Sequence, residues 1–91
     1  MTKKAMIEKY SNRLQEIEET KEFYTNNVKE VVNAYCTIEE IGQNSLRQLV
    51  NLTAERATNK QDISRLNMYW AFLQKSLRET TVLKEILSDL K

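Results

Sequence analysis

The chain has 91 residues with one glycine, no proline and no histidine. An average sequence of that length carries roughly six glycines and four or five prolines, and hairpins and tight turns depend on both, so β-rich and α/β folds are excluded. The missing histidine removes Ser-His-Asp and Cys-His catalysis, imidazole metal ligation and a histidine pH switch.

Apolar residues make up 41% and charged residues 30%, which suits one folded helical domain over 1–91 rather than a disordered chain. The net charge of +1 creates no general attraction to nucleic acid or membrane. Its distribution is uneven. Residues 1–41 hold six basic and eight acidic side chains, and residues 42–84 hold seven basic and three acidic.

The opening stretch through Glu8 has two lysines but no apolar core of the kind a secretory signal needs. No uncharged run approaches the ~20 residues that span a bilayer. The compartment expected is the cytoplasm, with no membrane partner.

The first third carries a heptad pattern. Ile7, Tyr10, Leu14, Ile17, Lys21, Tyr24, Val28, Val31 and Tyr35 recur at alternating spacings of three and four. This predicts a long helix over 3–35 with a coiled-coil-like seam, interrupted only by Lys21 and capped by Thr2. Phe23 points away from that seam. Cys36, the only cysteine, permits no intrachain disulfide and reads as a small buried hydrophobe.

Thr37-Ile38-Glu39-Glu40 fits a capping box, and Gly42-Gln43-Asn44-Ser45 carries turn chemistry. Leu46, Leu49, Val50, Thr53 and Ala57 resume a helical face, and Thr58 or Asn59 offers a cap for a last helix over 60–90. That helix is expected to bury Ile63, Leu66, Trp70, Leu73 and Leu77, its stripe then drifting through Thr80 and Leu83 to Leu87 and Leu90. The fold expected is all-α: an up-down-up bundle of three helices (3–35, 38–57 and 60–90) with long, coiled-coil-like first and last members. A two-helix antiparallel hairpin turning at Gly42 is the alternative.

No constellation supports catalysis, a cofactor or a metal. Glu16, Glu18, Glu19 and Glu22 read as a solvated helix face, and a single glycine cannot build a phosphate loop. The serines have no histidine to activate them. The length is similar to that of small helical hairpins of the type VII WXG100 class, but Glu40-Ile41-Gly42 supplies only the glycine of their Trp-x-Gly turn, and no function carries over.

The last helix has apolar residues on two sides. With Trp70, Leu66 and Leu73 on one, Met68 and Phe72 lie about 160° and 200° away, near the azimuth of Val82 and Ile86. A second apolar face calls for a partner. The function expected is therefore a non-enzymatic protein–protein interaction module, self-associating and acting as adaptor, assembly factor or inhibitor. Met68, Phe72, Val82, Ile86 and Phe23 are its contact residues. Two alternatives remain open: a nucleic-acid binder using Arg47, Arg56, Lys60, Arg65, Lys75 and Arg78, and a secreted helical export substrate or chaperone.

Overall fold

The computed structural model describes residues 2–91 and is all-α. Four helices follow one another: α1 (Lys3–Tyr35), α2 (Ile38–Gln43), α3 (Leu46–Arg56) and α4 (Lys60–Leu90). Each begins where a side chain satisfies the free N–H groups of its first turn. Thr2 accepts from the Ala5 N–H at 3.2 Å, and Asn59 accepts from that of Gln61 at 2.8 Å. Thr37 and Glu40 form the expected reciprocal box at the start of α2. Ser45 and Gln48 form a second one, with the Ser45 N–H donating to Gln48 Oε1 at 2.8 Å. This second box divides the segment expected as one middle helix.

The division changes the chain's course. Arg13 reaches Glu79, Tyr24 stacks on Phe72, and the Tyr35 hydroxyl donates to Asp62 at 2.6 Å. Residues rising along α1 thus meet residues falling along α4, and the two long helices are antiparallel. The bundle has the long first and last helices expected, but the extra reversal gives up-down-up-down order instead of up-down-up. The alternative's antiparallel pairing is present, whereas its turn at Gly42 is not. Gly42 lies within α2 at negative φ, and the reversal is shared by the breaks around Cys36, Asn44 and Thr58.

The two short helices fold back on one end of the pair. Arg47 lies over the Trp70 ring, and Arg56, at the far end of α3, donates to the Tyr35 carbonyl at 3.0 Å. Val28, Val31, Val32, Leu49, Val50 and Leu66 form the main core there, with Tyr35, Cys36, Ile41, Leu46, Tyr69 and Trp70 around it. Cys36 is half-buried, its sulfur 3.5 Å from the Thr53 hydroxyl.

Along the rest of the molecule, which is 53 Å long, α1 and α4 pack only on each other. At 1.5 Å per residue the eleven residues of α3 cover roughly 16 Å of that length.

The α1 seam is the one expected. The α4 seam is the one expected at Leu66 and Leu73 and from Thr80 and Leu83 to Leu87 and Leu90, but between them it takes Tyr69 and Ser76, with Trp70 half-buried to one side and Leu77 41% exposed. Ser76 sits between the Tyr24–Phe72 and Arg13–Glu79 contacts, where α1 offers Ile17 and the half-buried Lys21, and Thr80 follows just past the second of them. Lys21 turns its ammonium to Glu18 at 3.0 Å.

The Thr80 hydroxyl is buried without a hydrogen-bond partner among the described residues. Replacing it by a methyl of the same shape removes an uncompensated polar burial. Thr80→Val is expected to raise the unfolding free energy by about 1–2 kcal/mol, read as a higher urea midpoint at constant slope.

Candidate interaction surface

The antiparallel seam has two flanks. Trp70 marks the flank that α3 covers, since it packs against the core that Leu49 and Val50 help to form and lies under Arg47. Phe72 follows two residues later, about 200° around the helix, and so lies on the other flank. No helix covers that flank, the open face, among the described residues.

Aromatic rings gather at its centre. Phe23 and Tyr24 of α1 meet Tyr69 and Phe72 of α4 with ring centroids 5.3 to 6.4 Å apart, the Phe23–Tyr69 and Tyr69–Phe72 pairs nearly edge-to-face. Tilted and edge-on pairs of this kind are the favoured arrangements for ring quadrupoles. Tyr24 and Tyr69 are half-buried in the seam, while Phe23 is 56% and Phe72 41% exposed.

Ion pairs close the cluster at both ends. On one side Arg13 bridges Glu79 at 3.4 Å and Glu16 at 3.5 Å. On the other, Arg65 donates to Asn27 at 2.7 Å and pairs with Glu30. Met68 and Val82 extend the apolar surface along α4, 46% and 53% exposed. Val82 and Leu83 line a shallow apolar cavity beside Arg13, Arg78 and Glu79. Ile86 is half-buried at the outer end.

Phe23 and Phe72, expected as separate contact residues, thus share one cluster, with Met68 and Val82 flanking it. Tyr24, expected in the seam, and Tyr69, which the sequence does not single out, complete that cluster. Their signal lay in the antiparallel register, which places residues 24 and 69–72 at one height and cannot be read from either helix alone.

The basic residues do not form one surface. The Arg56 guanidinium grips Glu40 through two bonds of 2.7 and 2.6 Å, and Arg65 is paired as above. Arg47 lies over Trp70 at 5.9 Å. Lys60, Lys75 and Arg78 make no ion pair among the described residues. Two of the six candidate phosphate contacts are therefore already neutralised within the chain.

The Arg56–Glu40 pair clasps α3 to α2 and to the end of α1. Arg56, and then the Thr37 N–H, hold the Glu40 carboxyl down to about 2 from its usual 4.5. The Asp62 carboxylate pushes the Tyr35 phenol up. A depressed carboxyl contributes stability above its unfolded value and loses it as pH falls through its folded value. Stability is expected to be level near neutral pH, as far as this clasp decides it, and to fall between about pH 4.5 and 2. Glu40→Gln should flatten that fall in an acid titration followed by circular dichroism.

No group of three or more metal-ligating side chains comes together among the described residues, and none of their helices is long and apolar enough to cross a membrane. Comparisons with protein-family models, curated proteins and solved structures find no match to the chain.

Proposed function

We propose that the chain is a helical protein–protein interaction module of the adaptor, assembly-factor or inhibitor kind, acting through the open face of the α1–α4 pair. The observation that carries this reading is the aromatic cluster of Phe23, Tyr24, Tyr69 and Phe72, exposed at its outer rings and framed by ion pairs. Aromatic anchors within a polar rim are the composition of energetically dominant interface patches. Met68 adds a side chain that adapts to imperfectly matched surfaces. Val82 and Ile86 prolong the face along α4, and the chemistry needs no cofactor.

The test is capture by the immobilised full chain from extract of its host, compared with Phe72→Ala. Proteins retained by the parent chain and released by Phe72→Ala, at unchanged helicity, support the module. Retention that survives Phe72→Ala and falls steeply with salt, together with binding to random-sequence duplex, moves the function to Lys60, Lys75 and Arg78 and to nucleic acid.

A further inference from the structure

We propose that the open face is built for a second copy of this chain, the two hairpins lying face to face and parallel about a twofold axis that runs along their length. The proposal rests on the open face being an interaction surface and adds its occupant. Rotation about such an axis keeps every residue at its own height and exchanges the two sides, so α1 of one copy lies over α4 of the other.

Heights are set by contacts already described: Arg13 is level with Glu79, Phe23 with Tyr69, and Asn27 with Arg65. The outer row of α1 on this face reads Lys9, Glu16, Phe23, Glu30, one residue per heptad. Carried across, it finds complementary chemistry. Phe23 meets the partner's Phe72 and Met68, both exposed and apolar. Glu16, 69% exposed, comes level with the partner's Lys75 and Arg78, which make no ion pair among the described residues of their own chain. Lys9 comes within about 3 Å of the height of the partner's Glu85.

By symmetry each pairing occurs twice. Turning one copy end over end about Phe23 would instead stack α1 on α1 and set Glu16 against the partner's Glu30, like on like.

The size of the face also suits a second copy. A surface 53 Å long and two helices wide, with about 9 Å between axes, measures on the order of 900 Å². A standard interface buries ~800 Å² per partner.

Sedimentation equilibrium of the full chain tests the proposal, with melting of dilute samples as the control for folding. A dimer at tens of micromolar is expected. Glu16→Lys and Lys75→Glu should each weaken it about tenfold, since like charges then face each other twice, and the two together should restore it to near the parent value. Phe72→Ala should weaken it without restoration by either.

A dimer indifferent to the charge changes, or a double variant no tighter than the weaker single, overturns the parallel register. A monomer at about 100 µM, a concentration above the Kd of even a micromolar interface, overturns self-pairing and leaves the face to a different protein. A dimer untouched by Phe72→Ala overturns both the pairing and the open face as an interaction surface.

Discussion

Leu66→Ala is expected to lower the unfolding free energy by about 3–5 kcal/mol, whereas Leu77→Ala, eleven residues further along the same helix, should cost less than about 1 kcal/mol. Leu66 is 1% exposed and stands where α1, α3 and α4 meet, among Val28, Val31, Val32, Leu49 and Val50. Truncation there removes three heavy atoms from a site that three helices hold open. The walls cannot collapse, and a cavity penalty adds to the lost transfer energy. Leu77 loses only a side chain that is 41% exposed. For a domain of this size the first change consumes a large part of the total stability. Urea unfolding of the three proteins checks the contrast, and comparable losses for both variants would contradict the seam described here.

That contrast marks where sequence reasoning succeeded and where it slipped. The heptad of α1 was legible because nearly all its seam residues are large and apolar, so the spacing and the chemistry agree. On α4 they disagree. The spacing of three and four runs without a break from Leu66 to Leu90, but it passes through Ser76 and Thr80. A reading that follows apolar residues steps aside to Trp70 and Leu77 instead. Burial of Ser76 became intelligible only beside Ile17 of the facing helix.

The short helices divide in the same way. The Thr37–Glu40 box could be seen from its residues. The Ser45–Gln48 box carries the same signal, yet it fell in a stretch read as a turn, so the fourth helix was lost with it and the antiparallel course of α4 stood only in the hairpin alternative. The open face was half legible. Helical azimuth separates Phe72 from Trp70, but the neighbours that make Phe72 part of a cluster come from α1.

Trp70→Ala and Phe72→Ala should fail in opposite ways. Trp70 is half-buried against the main core, with the Arg47 guanidinium 5.9 Å from its ring. Its removal uncouples α3 from α4, at a cost of about 2–4 kcal/mol of fold stability, near the lower end for a large aromatic because part of the ring is already wet. Phe72 rests on Tyr24 and Tyr69 at the surface of the opposite flank. Losing it removes two ring pairs, worth about 1–2 kcal/mol to the fold. The same truncation takes the central anchor from the open face, where about 2 kcal/mol or more of association is expected to go, roughly thirtyfold in Kd.

The two residues are neighbours in sequence and about 200° apart around one helix, so general damage to this segment cannot produce both patterns. Chemical denaturation in dilute solution reads the first quantity, and sedimentation over a range of concentrations reads the second. Should Phe72→Ala unfold the dilute chain as readily as Trp70→Ala while leaving association unchanged, the aromatic cluster would be a structural brace between α1 and α4, and the binding surface would have to be sought on the other flank, past the start of α3, where Leu77 is exposed.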